Sequence, residues 1–582
     1  MSWASASIPA RAISVGVIIV SLGVTPWNNL DPVSVTKLFL VTTVVSILLF
    51  CRALIPKTFV SNKSIFEKSI KTGIFFLFLS LLLRLQFPSE RVFGINGRNL
   101  GSLFFISLFL LLLFANQVLK LENAKLLIVS IKTSSVLVAI YFAIQRAGLD
   151  RAQWVDAYGG VPSSTLGNPN FVSSFVAIGF ASTLPILLSF QSKNIWRLVI
   201  AAFSLLEIYV INESRSAQGF IICGFAIFTF CFVKMLNWMS SYQIRVNRFS
   251  ISTLILIFVG SLFLFRMSSN SLSTNVTLQA RLDYWRAAIS MIIDSPFYGQ
   301  GFDYFGESYF LFRSTSAAIR SPGLFTDSAH NYFLDVGAFS GLFVLTCFLT
   351  PMIIVFIQVF RVCFLLQTNH TQFKPPSPWI FGAILAWFGF ILQALISPIS
   401  HSLIYVGIVL TAILHTSLNS QNVKAAAGNN LSIRNSSFMT RKLKQEVVRL
   451  KNSSFDIMLR VACVVSSLAL LILGAQPMIT DAKFRDAIEQ GNGDKLLQIA
   501  LNQPKSFARM EIAAQVFVQN ERSDLALRLI RDMVRENPEN IRGWRLLLAT
   551  SNQSVEKSLA RKRILELDPK NPKLAEELAR TP

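Results

Sequence analysis

Several polar clusters interrupt an otherwise apolar chain, and their side chains are of the kinds that bind phosphate and move protons. Arg98 lies in "GINGRNLG", Arg215 in "ESRSAQGF", and Arg281 opens "RLDYWR". Arginine offers planar, bidentate and permanently charged donors, which match phosphate oxygens. His330, in "DSAHNYFL", belongs to the residue type whose ordinary pKa, about 6.5, suits a general base. These residues are suited to holding an anion and to accepting a proton.

The composition of the chain is that of a membrane protein. Of its 582 residues, 52% are hydrophobic and 15% are charged, against about 25% charged residues in globular domains. The formal net charge of +23 would suggest nucleic acid in a soluble protein. Cytoplasmic loops of polytopic proteins also collect lysine and arginine, and no basic cluster here is interleaved with aromatic residues. We expect an all-α, polytopic membrane helix bundle that binds no nucleic acid.

Thirteen apolar runs approach the length of about 20 residues that a helix needs to cross a bilayer. The first twelve form the predicted core, and the thirteenth follows a polar linker. The runs are Ile13–Trp27, Leu38–Ile55, Gly73–Phe87, Leu100–Leu119, Leu126–Ile144, Phe171–Phe190, Leu198–Ile211, Phe220–Val233, Ile251–Phe265, Tyr332–Phe360, Trp379–Ile396, Leu403–Leu418 and Val461–Met478.

The distribution of lysine and arginine predicts which loops face the cytoplasm. With the N-terminus inside, basic loops such as "KLENAK" and "QSKNIWR" fall on the cytoplasmic side, and all the polar clusters named above face outside. The predicted organisation is a membrane core at 1–418 with an external loop at 267–331, a basic cytoplasmic linker at 419–454, a transmembrane helix at 455–479 and an extracytoplasmic domain at 480–582.

The C-terminal domain is predicted to consist of helical repeats. Pro504, Pro538 and Pro569 end similar helical segments at intervals of 34 and 31 residues. A period near 34 with a closing proline resembles tetratricopeptide repeats, and Trp544 is predicted to pack on the next helix. Such repeats bind a protein partner or add oligomer contacts. The other interpretation is three unrelated boundaries between a helix and a proline.

Each arginine or histidine also has a purely structural interpretation. An arginine at the outer end of a helix can bind lipid phosphate, and Glu213 can neutralise Arg215. Arg281 and Trp285 are four residues apart on one helical face, so packing or a cation–π contact explains them without a function. A lone histidine at a helix start, such as His330, is often only an interfacial residue.

Two acidic residues leave similar alternatives open. Asp327 precedes His330 by three residues, so that its carboxylate can orient the imidazole or merely cap the following helix. Glu207 lies within a predicted span, and an intramembrane ionisable residue is a site candidate by default. It can equally form an ion pair with a nearby arginine.

The sequence lacks the signatures of the common nucleotide and metal sites. It contains no Walker A motif, no HExxH, no DxD and no soluble dinucleotide-binding fingerprint. The six cysteines lie in or beside apolar runs and form no CxxC, so we expect neither disulfides nor zinc. We expect no cofactor and no metal.

Three segments taken together resemble the O-antigen ligase and O-antigen polymerase superfamily. They are "SRSAQGF", "RLDYWRAAISMIIDSPFYGQGFDYF" and "HNYFLDVGAFSGLFVL", and the resemblance covers roughly residues 1–420. The family places its large external loop between spans nine and ten, which is where the predicted loop lies. The positions that match the family's motifs are Gly94, Arg98, Gly167 to Asn170, Arg281, Trp285, Pro296, Gly299, Gly301, His330 and Asn331.

The resemblance implies a glycosyltransferase of the GT-C type in the bacterial cytoplasmic membrane, with undecaprenyl diphosphate carrying the glycan donor. It implies transfer at the outer face, with inversion and without a metal, to a lipid, glycan or protein acceptor. Ligase, polymerase and protein-glycosylating activities all stay open. His330 is the implied base, and Arg215 and Arg281 are the implied catalytic ligands of the diphosphate. The further implied substrate-binding residues are Arg98, Asn168, Asn170, Trp285, Arg286, Gly299, Gly301, Asp327 and Asn331.

A transporter or polymer channel and a non-catalytic scaffold are the competing functional classes. Transporters often carry internal repeats among their spans and breaks near mid-membrane, and we see neither pattern in the sequence. A scaffold would use the C-terminal repeats to recruit other proteins. The combination of Arg215, Arg281 and His330 favours a transferase over both.

Overall fold

Every element of the described chain is helical, as the composition predicts. The computed structural model describes residues 7–61, 64–83, 88–152, 154, 158–189, 194–241, 276–365, 376–429 and 454–580. The predicted ninth span, Ile251–Phe265, lies outside the described residues, as does most of the predicted linker. The first nine helices are α1 (Ile8–Leu22), α2 (Ser34–Leu54), α3 (Ile65–Leu83), α4 (Pro88–Phe93), α5 (Ser102–Val118), α6 (Ala124–Arg146), α7 (Pro169–Leu187), α8 (Asn194–Glu213) and α9 (Ala217–Ser241).

The described part of the large loop, residues 276–331, contains three helices, none of which is both long and apolar enough to be a span. Amphipathic α10 (Val276–Asp294) is followed by α11 (Phe305–Phe312) and α12 (Thr315–Arg320). The chain then returns to the bundle as α13 (Tyr332–Phe360), α14 (Pro378–Ala394), α15 (His401–Asn429) and α16 (Ser454–Glu489).

Most of the predicted spans correspond to apolar helices. Among the described residues, eight helices are long and apolar enough to cross a membrane, and the shorter α1, α5 and α14 are apolar too. The first predicted span extends beyond its helix, because α1 stops at Leu22 and residues 23–33 form turns and bends ahead of α2. Helix α3 carries Glu67, Lys68 and Lys71 in its first two turns, which lowers its apolar character.

Helix α13 is broken at Gly341, where φ is +80° and the backbone is not helical. The break frees carbonyl groups that would otherwise accept bonds within the helix. Gln300 and Gly301 of the large loop supply hydrogen bonds to two of these carbonyl groups. Their N–H groups donate to Ala338 O and Phe339 O at 2.7 and 3.0 Å. The turn after α10 thus replaces part of the missing helical ladder, which makes a break tolerable in a span.

The same turn also satisfies the other side of the break. The freed N–H of Leu342 donates to Pro296 O at 2.7 Å. Gly299 must lack a side chain, because a Cβ there would lie 2.5 Å from the backbone carbonyl carbon of Phe339. The proline–glycine motif therefore fastens the large loop to α13 through main-chain contacts.

Helix α16 connects the membrane bundle to the C-terminal domain without interruption. Its 36 residues correspond to about 54 Å, against a hydrocarbon core of about 30 Å. It packs along α2 through small groups: Gly474 lies directly on Thr42, and the hydroxyls of Ser46 and Ser467 are 3.0 Å apart. Small residues allow such close approach between membrane helices.

The C-terminal helical domain, residues 480–580, begins with the end of α16 and continues as consecutive helices with their own apolar core. Trp544 is buried there, and its indole N–H donates to Pro538 O at 2.9 Å. The assignment to tetratricopeptide repeats stays a prediction. The remaining helices are α17 (Gly493–Leu501), α18 (Phe507–Gln519), α19 (Ser523–Glu536), α20 (Ile541–Thr550), α21 (Ser554–Leu567) and α22 (Leu574–Arg580).

Candidate functional site

The polar residues selected from the sequence lie at one end of the bundle, where α7, α9 and α13 begin. The turn between α14 and α15 joins these three helix starts. Ser397 in this turn donates to the side chain of Gln218 at 2.9 Å, and Leu395 O accepts from Asn331 Nδ2 at 3.1 Å. Gln218 also accepts from Ser174 of α7 at 2.9 Å. A continuous polar layer therefore lies beneath the large loop.

His330 is held in a left-handed backbone conformation by the loop that precedes α13. Its φ is +53°, a conformation that costs a non-glycine residue about 1–3 kcal/mol. The His330 N–H donates to Ser328 Oγ at 2.9 Å, and that hydroxyl donates to Asp335 at 2.6 Å. Asp335 also accepts from the N–H of Ala329 at 2.7 Å. The buried carboxylate therefore fixes the direction in which the imidazole leaves the loop.

The imidazole of His330 is neutral at physiological pH. Its ring stacks on Tyr284 of α10, with centroids 5.6 Å apart and planes inclined by 25°. Burial lowers the pKa of His330 to about 4; the nearby positive charge of Arg281 contributes, Asp327 opposes the shift, and Arg98 adds to it. A neutral ring keeps a lone pair that can accept a proton.

Arg281 reaches this region because α10 turns Arg281 and Tyr284 toward the same side. The acid nearest to Arg281 in sequence is Asp283, which is bound elsewhere, to Arg320 at 2.5 Å and Arg286 at 3.7 Å. Among the described residues, no carboxylate lies within ion-pair distance of the Arg281 guanidinium. No described carboxylate therefore balances the charge of Arg281, and its guanidinium is suited to binding an anion.

Arg98 approaches the site from the loop between α4 and α5. Its Nε lies 3.2 Å from an oxygen of Asp303, and its Nη1 lies 3.2 Å from Asp327 and donates to the Asp327 carbonyl. Burial works against its charge, but the two carboxylates outweigh it and raise the pKa of Arg98. The remaining Nη2 is buried and has no hydrogen-bond partner among the described residues. An orphaned guanidinium donor beside His330 is a natural contact for a substrate oxygen.

The "GNPN" segment forms the start of α7 at the edge of the site. Asn168 caps the helix by accepting from the N–H of Asn170 at 2.8 Å, and Gly167 adopts a φ of +75° ahead of it. The phenol of Tyr158 hydrogen-bonds to Asn168 and lies near enough to Asp327 for that charge to raise the pKa of Tyr158, after burial. This segment therefore borders the Arg98–Asp327 pair.

Arg215 occupies the sharp turn between α8 and α9, is exposed, and has a φ of +54°. Small residues let this turn lie against α7: a Cβ on Gly219 would meet Ser173 Oγ at 2.4 Å. The structure pairs Glu213 with Arg146 at 3.0 Å, so the predicted alternative of a neutralising Glu213–Arg215 pair is wrong. Arg215 lies three residues before Gln218, which belongs to the polar layer described above.

The donors of this site suit an anion better than a metal ion. Two of its carboxylates, Asp303 and Asp327, are already bound to Arg98. The third, Asp335, accepts from Ser328 and Ala329. Within the described ranges, no group of three or more His, Cys, Asp or Glu residues is placed to hold a metal.

A comparison with protein families identifies the segment that carries these groups. Residues 173–349 match the family described as O-antigen ligase. This segment is an O-antigen ligase domain. The match supports the O-antigen ligase and polymerase superfamily that the motifs resemble. The apolar helices and this match indicate an integral membrane protein, and the matched family acts on lipid-linked glycans. A comparison with curated proteins gave no match.

The matched segment contains five of the predicted site residues with charged or titratable side chains: Arg215, Arg281, Arg286, Asp327 and His330. Arg98 precedes the matched segment, yet its ion pair with Asp327 brings it into the domain. Asn168 also precedes the segment and lies at its border through Tyr158. The site is therefore completed by residues outside the matched domain.

Five predicted substrate-binding residues have structural contacts of their own. Arg286 is exposed beside Asp283, and Trp285 is half-buried with an indole N–H that has no partner among the described residues. Gly299 and Gly301 lie in the turn against α13, with no room for a Cβ at either. Asn331 caps α13 by accepting from the N–H groups at positions 333 and 334; the cap is therefore Asn331 and not Asp327. Their contacts with substrate stay predictions.

Residues that sequence reasoning missed hold the predicted ones in place. Asp303 anchors Arg98, Asp335 anchors the His330 loop, and Tyr284 stacks on the imidazole. Tyr284 follows Arg281 by three residues, so helical periodicity gave a usable signal. Asp303 and Asp335 carry no such signal, because their partners lie elsewhere in the sequence or in a loop of unusual conformation.

Glu207, the intramembrane candidate, has a different partner from the one suggested. It forms an ion pair with Lys132 of α6 and accepts from Ser135 at 2.7 Å. The suggested arginine is therefore wrong. The pair is buried between α6 and α8, where two opposite charges satisfy each other away from lipid.

Proposed function

We propose that this protein is a GT-C type glycosyltransferase that moves a glycan from undecaprenyl diphosphate to an acceptor hydroxyl, with inversion and without a metal. The observation that carries the proposal is the meeting of Arg281, Arg98 and neutral His330 at one end of the bundle, inside or beside an O-antigen ligase domain. An uncompensated cation next to a neutral base is the pair of groups that this reaction requires.

His330 would act first as the general base. Its neutral ring takes the proton from the acceptor hydroxyl as the acceptor oxygen forms a bond to the anomeric carbon. The bond between that carbon and the diphosphate oxygen breaks, and its electron pair stays with the diphosphate. Attack from the face opposite the leaving group inverts the anomeric configuration. A positioned base typically contributes 10²–10⁴-fold in rate.

The arginines would stabilise the departing diphosphate. Negative charge grows on the oxygen that links the diphosphate to the sugar as the bond to the anomeric carbon breaks. Fixed guanidinium groups stabilise that charge without rearrangement. Arg281 is suited to this task because no described carboxylate neutralises it. Arg215, exposed at the start of α9, is the second proposed ligand. The orphaned Nη2 of Arg98 supplies a further donor.

The proposed orientation places the site outside the cytoplasmic membrane of a bacterium, with the N-terminus inside. The C-terminal helical domain and the large loop contact each other, which supports a common side for both. The lysine and arginine distribution of the predicted inner loops supports the same orientation.

The function is tested by transfer assays with purified protein, a lipid-diphosphate glycan and an acceptor. His330→Ala and Arg215→Ala should each abolish transfer while the protein still inserts in the membrane. His415→Ala is the matched control, since His415 lies at the middle of α15 (His401–Asn429), away from the site at the start of that helix, and stacks on Phe66. Near-normal transfer by both site variants would remove these roles.

The acceptor class is resolved by mass spectrometry of surface glycans in a deletion strain. Chains missing from their anchor, with lipid-linked polymer accumulating, identify a ligase. Accumulation of single lipid-linked repeats identifies a polymerase, and loss of glycan from proteins identifies a protein oligosaccharyltransferase. Unchanged surface glycans in all three measurements contradict the proposal.

A further inference from the structure

Two neighbouring residues of the large loop, Asp303 and Tyr304, face different parts of the molecule. Asp303 has a φ of +61° and a fully buried side chain. One carboxylate oxygen lies 3.2 Å from Arg98 Nε, and the other accepts from the N–H groups of Ile95 and Leu100 at 2.9 and 3.3 Å. A single carboxylate therefore holds both the guanidinium of Arg98 and the backbone loop on which it is mounted.

Tyr304 binds the C-terminal helical domain and the short helix α4. Its hydroxyl accepts from Asn537 Nδ2 at 3.2 Å and donates to Glu90 at 3.4 Å. Glu90 in turn accepts from the N–H of Phe507, at the start of α18, at 2.7 Å. The guanidinium of Arg91 lies 4.2 Å from the Tyr304 ring centroid. The residue after Asp303 is thus enclosed between two helices of the C-terminal domain and α4.

Further buried charges fix the C-terminal domain to the large loop. Arg313 of the loop forms a bidentate ion pair with Asp568, at 2.7 and 3.2 Å, and only 1% of the Arg313 side chain is exposed. Arg542 lies 3.4 Å from Glu307 of α11. Phe310 of α11 belongs to the apolar core of the C-terminal domain. Opening this interface would break both charge-assisted hydrogen bonds of the Arg313–Asp568 pair and expose Phe310 to water, which opposes opening.

We infer that Asp303 is a positioning residue that holds Arg98 at the site, and that the docked C-terminal helical domain keeps Asp303 in place through Tyr304. The C-terminal domain is on this inference a working part of the transferase, whatever partner it also binds. The inference rests on the proposed function, because Arg98 must act on the substrate for its position to matter.

The role of Asp303 is tested by a double-mutant cycle with Arg98. Asp303→Asn should lower kcat/KM for transfer about tenfold to a hundredfold. In an Arg98→Gln background the same substitution should cause no further loss, since its effect passes through Arg98. Asp294→Asn is the matched control, because Asp294 lies in the same loop and bonds to Ser295 and Gln300. Equal losses from Asp303→Asn in both backgrounds would show a merely structural role and overturn the inference.

The role of the C-terminal domain is tested on the full-length protein by removing three of its contacts together. The triple variant Asp568→Asn, Arg542→Gln and Asn537→Ala should lower kcat/KM about tenfold and make residues 490–580 more sensitive to protease. That loss too should vanish in the Arg98→Gln background. Asp524→Asn, which alters an exposed ion pair with Arg522 in the same domain, should leave transfer unchanged. Wild-type transfer by the triple variant overturns this part.

The proposed function and the positioning role of Asp303 can be refuted separately. If His330→Ala and Arg281→Ala both transfer glycan normally, the proposed function is wrong regardless of Asp303. If those two variants are inactive while Asp303→Asn and the triple variant both transfer normally, the function stands and the inference is wrong.

Discussion

Two groups of buried charge lie at the same end of this bundle, and they differ in how their charges are balanced. Between the large loop and the C-terminal helical domain, Arg313 is paired with Asp568 and Arg542 with Glu307. In the candidate site, Arg98 is balanced by two carboxylates, whereas no described carboxylate balances Arg281. A balanced pair holds protein segments together, while an unbalanced cation is stabilised only when an anion arrives.

The largest effect is expected at the unbalanced arginine. Arg281→Gln should lower kcat about 10³-fold, or about 4 kcal/mol, because a preorganised donor to the developing charge is lost. The melting temperature should hardly change, since Arg281 forms no ion pair with any described residue. Transfer assays and thermal unfolding of the same preparation measure both quantities.

Arg320→Gln is the matched control for this prediction, because Arg320 lies in the same large loop but is paired with Asp283. Its transfer rate should stay close to that of the unmodified protein. If the two variants behave alike, the charge of Arg281 has no special role and the contrast between the two groups is lost.

At the balanced Arg313–Asp568 pair, a substitution is expected to lower stability. Arg313→Gln leaves Asp568 buried without its partner, which should cost about 3 kcal/mol of stability. Thermal unfolding in detergent or lipid measures the loss. Arg531→Gln, which breaks an exposed pair with Glu556 in the same domain, serves as the control. Equal melting temperatures for the two variants would contradict a stabilising role for the buried pair.

The pH dependence gives a smaller, more graded effect. The pKa of His330 is lowered to about 4 in the free protein, so kcat/KM should fall only as the pH drops through about 4. A bound diphosphate favours the imidazolium and raises the pKa of His330, so the acid limb of kcat should lie at higher pH. Rate profiles at limiting and saturating donor measure the two limbs. An acid limb of kcat/KM near 6.5 would contradict the environment described here.

The lowered pKa of His330 also makes the stability of the folded protein depend on pH. Between pH 6.5 and pH 4, His330 is protonated in the unfolded protein but stays neutral in the folded protein. The free energy of unfolding therefore decreases as the pH falls through this range. His330→Gln should remove this contribution. The comparison of unfolding at pH 7 and pH 5 for the two proteins isolates it from other groups.

Much of the fold follows from composition and the length of apolar runs. Twelve of the thirteen predicted spans correspond to described helices, because a helix in lipid must satisfy its own backbone groups and be apolar over about 20 residues. The predicted span Tyr332–Phe360 has the same bounds as α13. Its pattern of apolar residues, however, does not predict the break at Gly341. The break depends on a turn some forty residues earlier, and a contact of that kind leaves no periodicity.

The candidate site was predictable in its residue types but not in its pairings. Arg281 and His330 stand out because charged and titratable residues are scarce in such a chain. Their supports, Asp303 and Asp335, look like ordinary loop and helix residues until the structure places them under Arg98 and Ser328. Ion pairs between distant segments are set by the packing of helices, which the one-dimensional pattern does not record.

The break in α13 has a mechanical consequence for the site. Main-chain hydrogen bonds from residues 296–301 secure both ends of the broken helix. Helix α10, which carries Arg281, ends immediately before that turn, and His330 immediately precedes α13. His330 and Arg281 are therefore attached to the same rigid turn. A change in bilayer thickness that tilts the part of α13 after Gly341 should leave the distance between these two residues unchanged.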